Sequence, residues 1–195
     1  MPFVDIDQIS ALVREHAARF GLRHPTAAVA GRVPSWVPFG LQVRRRRGGR
    51  VLVVDPRFGD LSPAEQSAMV AGVMTAMAYF PAYLRRLSLV SVPLVLVAGI
   101  AGGLMSAFLG SPRALGVLLL FLGWIPAVVL VVRWYTYTVD RAVVETFGRT
   151  TLDAAFDFER RTPLKAAHPV RLISPSVDRR VKRLERLRTP SGSPM

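Results

Sequence analysis

Two long uncharged apolar runs constrain the fold of this chain more than any other feature. Residues 87–110 have no charged residue in 24 positions, and residues 114–132 have none in 19. As α-helices they would be about 36 Å and about 28 Å long, against a hydrocarbon core of about 30 Å. A chain of 195 residues could hardly cover two helices that are apolar on every face. The sequence therefore predicts a two-helix transmembrane hairpin rather than two buried helices of a soluble protein.

The arginines around these runs predict how the hairpin is oriented. Arg85 and Arg86 precede the first run, Arg133 follows the second, and the short connection holds only Arg113. Lys and Arg near the ends of a span tend to stay on the cytoplasmic side. We therefore expect a multi-pass protein of the cell membrane with both termini in the cytoplasm.

The rest of the chain is expected to form one split cytoplasmic domain of the α+β class, mainly helical and interrupted by the hairpin at residues 87–132. Residues 1–86 would be its N-terminal part and residues 133–188 its C-terminal helical part. The Pro- and Ser-rich residues 189–195 are expected to be a disordered tail.

Periodicity, capping and turn signals predict the elements of this domain. They are an amphipathic helix over residues 6–20, a weak strand over 27–30 and a β-hairpin of 41–47 and 50–55 that turns at Gly48-Gly49. Ser62 and Glu65 form a capping box that starts a helix through Tyr79, which Pro81 ends or kinks. Further helices are expected over 134–147, with Gly148 as the stop, over 151–161, and from 174–176 onward.

The chain is strongly basic, with a formal net charge of +13. This charge predicts an anionic partner, and with a membrane hairpin present, anionic lipid headgroups suffice as that partner. The run Arg44, Arg45, Arg46 and Arg47 is therefore interpreted as a solvated edge strand at the membrane surface. Arg85, Arg86 and Arg133 are expected at the same surface. Nucleic acid is not the expected partner, whereas another membrane protein remains open.

Three segments carry a resemblance to a known family. They are Val51-Leu-Val-Val-Asp-Pro followed by Leu61-Ser-Pro-Ala-Glu, then Thr136-Tyr-Thr-Val-Asp140-Arg-Ala, and finally Ser174-Pro-Ser-Val-Asp-Arg-Arg180-Val. Their order, and their spacing around the hairpin, resembles the HtpX-like membrane zinc metallopeptidases, relatives of the CAAX prenyl proteases. The resemblance covers nearly the whole chain, although the usual N-terminal pair of transmembrane helices is missing. It implies a zincin-like cytoplasmic domain.

The chain departs from that family at its metal site. The family has Ala-His-Glu-x-x-His at this place. In this sequence Gly72 stands at the first histidine, Val73 at the glutamate and Ala76 at the second histidine. The family's third ligand falls on Thr136, whose neutral hydroxyl is a poor zinc ligand. Ser174 replaces the family's C-terminal His. The resemblance therefore implies that zinc is lost and that no metal or other cofactor is bound.

Two residues of the family pattern are kept, Asp140 and the C-terminal Arg180. Asp140 is either a remnant of the groups that once oriented a metal ligand or a partner for a nearby Arg. We favour the ion pair, because without a metal the first task is gone.

No other residues offer a replacement catalytic site. The histidines His16, His24 and His168 have no ligand spacing with one another and are expected to be solvent-exposed or hydrogen-bonded. The remaining helical acids, among them Glu159, fit surface positions. The chain has no cysteine, which excludes Cys-ligated metal.

The sequence therefore predicts a catalytically inactive pseudopeptidase with a binding or regulatory role at the membrane. Small residues at the former metal site would let the helices close together and fill the cleft. The alternatives are a zinc metalloendopeptidase with non-standard ligands, which predicts stoichiometric zinc, and a basic nucleic-acid-binding membrane protein, which predicts a salt-dependent affinity for duplexes.

Overall fold

The computed structural model describes residues 5–25, 27–34, 37, 40–47, 49–109, 113–162 and 173–188, without the side chains of 102–103, 105–109, 113–122 and 187–188. The connection at 110–112 and the predicted tail at 189–195 lie outside the described residues. The elements are α1 (Ile6–Arg19), β1 (Ala28–Ala30), β2 (Leu41–Arg46), β3 (Gly49–Val54), a 3₁₀ helix (Pro56–Asp60), α2 (Pro63–Leu109), α3 (Arg113–Phe147), α4 (Arg149–Arg161) and α5 (Val177–Arg188). This arrangement confirms a mainly helical α+β chain with a small sheet.

The sheet has three strands in the order β1-β3-β2. β1 is parallel to β3, and β2 is antiparallel to β3, with Leu41 opposite Val54 and Arg45 opposite Arg50. The predicted hairpin is confirmed, with β3 as the inner strand and the arginine-rich β2 at the edge. Its turn was misplaced, because β3 begins at Gly49, one residue before the predicted strand, and Gly49 pairs with Arg46. Because its last residues are arginines, this edge repels further strands.

The main core lies between α1, one face of the sheet and the first half of α2. Ile9 and Val13 of α1, Leu52 of β3, Phe58 of the 3₁₀ helix and Met74 of α2 are all fully buried there. The predicted apolar stripe of α1 therefore faces the core.

The predicted capping box starts α2. The Ser62 amide and hydroxyl both donate to Oε2 of Glu65, at 2.9 and 2.8 Å, and the Glu65 amide donates to the Ser62 hydroxyl at 3.4 Å. The other oxygen of Glu65 forms an ion pair with Arg161 at the end of α4. The cap thus also ties α4 to the start of α2.

The expectation that Pro81 ends or kinks this helix is wrong with respect to its end. α2 continues through Pro81 and Pro93 to Leu109, for 47 residues in all. A proline removes one backbone donor, and a helix tolerates this loss where a neighbouring helix supports it. The predicted break between the domain and the first apolar run is therefore absent, and the same helix belongs to both.

The supporting neighbour is α3, which packs against α2 in the antiparallel direction. The Trp124 indole donates to the Ser91 hydroxyl at 3.2 Å. Further toward the domain, the Tyr135 hydroxyl donates to the Ala76 carbonyl at 2.5 Å. Later residues of α3 contact earlier residues of α2, so the two helices run side by side in opposite directions over this length.

In the described part of the chain, the outer part of this helix pair is largely exposed. Its exposed large apolar residues are Phe80, Leu84, Leu89, Val92, Val95, Leu96, Val97, Ile100, Leu104, Trp124, Ile125 and Leu130. Within the described residues, one helix segment, Pro63–Ala101, is long and apolar enough to cross a membrane by length and composition. A large exposed apolar surface of this kind marks contact with a membrane or a partner.

The C-terminal helices form a second, smaller core. Val143 of α3, Leu152 and Phe156 of α4 and Leu184 of α5 are buried against one another. Gly148, with φ of +89°, separates α3 from α4, as its predicted role as a helix stop requires.

A buried carboxylate, Asp55, fixes the end of β3. It accepts hydrogen bonds from the Val33 amide at 3.0 Å, from the Arg57 amide at 3.1 Å and from Nε of Arg57 at 2.8 Å. The Arg57 guanidinium, helped by these amides against the opposing effect of burial, lowers the pKa of Asp55 to about 2. The charged form therefore stabilises the fold.

We predict that Asp55→Asn lowers the free energy of unfolding by about 1–2 kcal/mol at pH 7. Because the folded-state pKa is depressed, this contribution is complete above the unfolded pKa of about 4 and disappears as the pH falls toward about 2. Thermal unfolding of both proteins in neutral detergent at several pH values measures the difference. A difference that stays constant down to pH 2 would contradict the assignment.

Candidate functional site

The three positions that the resemblance aligns with a zinc-binding motif lie on α2 at the edge of the main core. Gly72, Val73 and Ala76 are partly exposed, and a Cβ atom added at Gly72 would meet nothing within 4 Å. On α3, the Thr136 hydroxyl donates to the Val132 carbonyl of its own helix at 3.0 Å. The side chains at these four positions therefore offer no free metal ligand.

A cavity of about 230 Å³ lies beside these positions. Its described lining is Arg50, Val73, Ala76, Met77, Phe80 and Tyr135. The expectation that small residues let the helices close and fill the cleft is therefore wrong. The Tyr135 side chain, whose hydroxyl donates to the Ala76 carbonyl, forms one wall of this space. We call this space the apolar cavity.

Asp140 and Arg180, the two residues that agree with the family pattern, meet in a buried ion pair. Nε of Arg180 donates to Oδ2 of Asp140 at 2.7 Å, and Nη2 donates to Oδ1 at 2.5 Å. Asp140 is only 2% exposed. Nη1 of Arg180 donates to Glu159 at 2.7 Å, and the guanidinium lies 4.7 Å from the centre of the Phe156 ring. The ion pair favoured for Asp140 is thus confirmed.

This cluster joins three helices, because Asp140 is on α3, Glu159 on α4 and Arg180 on α5. Burial lowers the pKa of Arg180, but the two carboxylates outweigh that effect and raise it above its ordinary value. Glu159 was expected on the surface. It is instead half-buried, because it neutralises the second side of a guanidinium that Asp140 alone does not satisfy.

The predicted membrane-surface arginines fall into two groups. On β2, Arg44 is held by Gln42 at 2.7 Å and by the Arg32 carbonyl at 3.1 Å, while Arg45, Arg46 and Arg47 are exposed. The second group, Arg85, Arg86 and Arg133, lies where the exposed apolar surface of α2 and α3 begins. The Arg86 guanidinium lies 3.7 Å from the centre of the Trp134 ring, and Nε of Arg133 has no hydrogen-bond partner among the described residues.

Aromatic side chains accompany this second group. All four tyrosines of the chain, Tyr79, Tyr83, Tyr135 and Tyr137, occur within this part of α2 and α3. Tyr83 contacts Tyr135 with ring centres 4.7 Å apart. Tyrosine, tryptophan and arginine concentrate where a membrane protein passes from hydrocarbon to water. We call Tyr79, Tyr83, Arg86, Trp134, Tyr135 and Tyr137 the aromatic band.

A second cavity, of about 480 Å³, lies at the turn end of the β-hairpin. Its described lining is His24, Arg45, Gly49 and Arg50. We call it the basic pocket. Sequence analysis missed Arg50 and His24 as site residues. The predicted turn at Gly48-Gly49 would place residue 45 opposite residue 52, whereas Arg45 lies opposite Arg50, and residues that lie opposite in antiparallel strands share a face.

The expectation for the histidines fails at His16. It is only 4% exposed, packs against Phe147 with ring centres 4.5 Å apart, and has no hydrogen-bond partner in the described part of the chain. The cause is its position on the inner face of α1, beside Val13 and Ala17. Burial lowers its pKa. His24 is exposed as expected, and His168 lies outside the described residues.

Among the described residues, no three or more His, Cys, Asp or Glu side chains come together in a group that could hold a metal ion.

We predict that Arg180→Met lowers the free energy of unfolding by about 3–5 kcal/mol, because it leaves Asp140 buried and unpaired. The matched control is Arg179→Met, at an exposed neighbouring position of α5, which should change stability by less than about 0.5 kcal/mol. Removing both charges with Asp140→Leu and Arg180→Met should destabilise less than Arg180→Met alone. Denaturant unfolding in detergent measures all three, and equal losses for Arg179→Met and Arg180→Met would refute the role of this pair.

Comparison with known proteins gives no relative for this chain: no family model, no curated protein and no solved structure matches it. Its function is therefore inferred from its own side chains and from the resemblance in motif order.

Proposed function

We propose that this chain is a membrane-anchored, catalytically inactive protein of the HtpX-like type, with a zincin-like cytoplasmic domain, that binds a partner or ligand rather than cutting a substrate. Its role would be binding or regulation at the cell membrane.

The apolar cavity is the observation that carries this proposal. At the positions where the resemblance places a zinc-binding motif, α2 presents an open space walled by Val73, Ala76 and Met77. Such a space can accommodate an apolar group, whereas its side chains supply neither a metal ligand nor a general base. The geometry favours binding and offers no chemistry.

The ion pair between Asp140 and Arg180 supports the resemblance. These residues come from the second and third of the three segments that resemble the family, 40 positions apart in the chain, and they form a bidentate pair. A buried charge pair that joins three helices preserves the arrangement of a helical scaffold even when the residues for catalysis are gone.

The aromatic band supports anchoring in a membrane. It lies between the folded domain and the exposed apolar surface of α2 and α3, where a bilayer surface would be. We propose two spans, within residues 87–110 and 114–132, with both termini in the cytoplasm. The exposed arginines of β2 and of the band would then face anionic headgroups.

Restoring the zinc ligands tests the resemblance. We predict that Gly72→His, Val73→Glu, Ala76→His and Thr136→Glu together create a site for about one zinc per chain, because two imidazoles and a carboxylate would then stand in the family's arrangement. Metal analysis of full-length protein in neutral detergent, after dialysis against a weak chelator, measures the content.

The matched control carries the same three changes on α2 but Thr138→Glu in place of Thr136→Glu, which moves the carboxylate two positions along α3. It should hold zinc at least about tenfold more weakly. Equal zinc binding by both variants would count against the resemblance. Tightly held zinc in the unaltered protein would overturn the proposal and favour a metallopeptidase with non-standard ligands.

The topology is testable because the chain has no cysteine of its own. Single cysteines are introduced at Ala11→Cys, Ser111→Cys and Ser176→Cys, and intact cells are treated with a membrane-impermeant maleimide. We predict labelling of Ser111→Cys alone in intact cells, and of the other two only after lysis. Labelling of either of the other two in intact cells would contradict the two-span topology.

A further inference from the structure

The inner face of the β-hairpin changes from apolar to basic toward its turn. Along β3 this face carries Val54, Leu52 and then Arg50, and Arg45 of β2 lies directly opposite Arg50. Leu52 and Val54 are buried in the main core. The two arginines therefore continue the face that covers the core, beyond the core's own edge.

Two like charges at directly opposite positions destabilise a strand pair. Among the described residues the side chains of Arg45 and Arg50, both exposed, form no ion pair and no hydrogen bond that would offset the repulsion. His24 stands at the same place, since a Cβ atom added at Gly49 would lie 2.5 Å from Cε1 of its ring. An anion between the two guanidinium groups would remove the repulsion and receive charge-assisted hydrogen bonds.

Arg50 belongs to both cavities. It lines the basic pocket with His24 and Arg45, and it lines the apolar cavity with Val73 and Met77. The apolar cavity in turn ends at Phe80 and Tyr135, where the aromatic band begins. Arg50 therefore places a cationic group beside both cavities, and the apolar one is also lined by Tyr135 of the aromatic band.

We propose that these two cavities bind one anionic phospholipid, with its phosphate at His24, Arg45 and Arg50 and one acyl chain in the apolar cavity. This inference rests on the proposed function for the position of the bilayer and deepens it by naming the ligand of the cleft.

A basic pocket and an apolar cavity that share Arg50 favour a lipid over other anions. A free phosphate ester would use the basic pocket alone and leave the apolar cavity empty. A nucleic acid would need its many phosphates neutralised along a surface and gains nothing from Val73 and Met77. An amphiphile uses both parts, and burying each methylene of its chain adds to its affinity.

Native mass spectrometry of the full chain in neutral detergent tests the proposal, with dioleoyl phosphatidylglycerol, dioleoyl phosphatidylcholine and glycerol 3-phosphate as probes. We expect one phosphatidylglycerol per chain, bound at least about tenfold more tightly than phosphatidylcholine. Glycerol 3-phosphate should bind at least about tenfold more weakly than phosphatidylglycerol, because it lacks the acyl chains. Equal affinity for the two lipids, or for the lipid and glycerol 3-phosphate, would overturn the proposal.

The β-hairpin supplies a matched pair of variants. Arg45→Gln with Arg50→Gln removes two charges from the inner face and should reduce phosphatidylglycerol affinity about tenfold or more. Arg44→Gln with Arg46→Gln removes the same charge from the opposite face of β2 and should change the affinity less than about twofold. Equal losses in both would show attraction by net charge alone and overturn the site.

Met77→Trp tests the acyl-chain part, because a larger side chain occupies the apolar cavity. The substitution should weaken the binding of phosphatidylglycerol and leave the binding of glycerol 3-phosphate unchanged. Circular dichroism checks that the variant is folded. Unchanged lipid affinity in a folded Met77→Trp protein would overturn the placement of the chain. If the unaltered protein binds phosphatidylglycerol selectively but the four-residue variant binds no zinc, only the resemblance is refuted. If the four-residue variant binds zinc but the unaltered protein shows no lipid selectivity, only the lipid site is refuted.

Discussion

The structure depends on α2 being one unbroken helix with two different environments. Its first turns bury Val70 and Met74 against the sheet and α1, while beyond Phe80 many of its apolar side chains are exposed and α3 is its main described neighbour. A single helix thus belongs to the folded core and to the surface proposed to meet the bilayer. α3 repeats this division in the opposite direction, which places every element of the domain on one side of the aromatic band.

The two halves of the domain are joined by charge as well as by apolar contact. The main core holds α1, the sheet and α2, and the second core holds the ends of α3, α4 and α5. Arg180 with its two carboxylates closes the second core, and the ion pair of Glu65 with Arg161 connects it to the first. Buried ion pairs contribute little net stability compared with apolar replacements, but they tolerate only one arrangement of their helices.

Local signals in the sequence predicted most elements and part of the site. The capping box at Ser62 and the stop at Gly148 are short-range chemistry, and the structure confirms both. The hairpin is confirmed as well, but its turn was misplaced by one residue because two adjacent glycines allow either position. The end of α2 at Pro81 was mispredicted because support from α3 is a tertiary effect. The burial of His16 and the open cavity were missed for the same reason, since both depend on which helix comes to lie opposite.

Because α2 is continuous, it sets both the position of the cavity along the helix axis and the direction in which the cavity faces around that axis. Each residue of a helix advances about 1.5 Å and turns about 100°. Val73 therefore stands about 18 Å along the axis from Arg85. A single residue inserted between them would rotate the cavity away from the band by more than a quarter turn, so the length of this segment is as much a determinant of the site as its side chains.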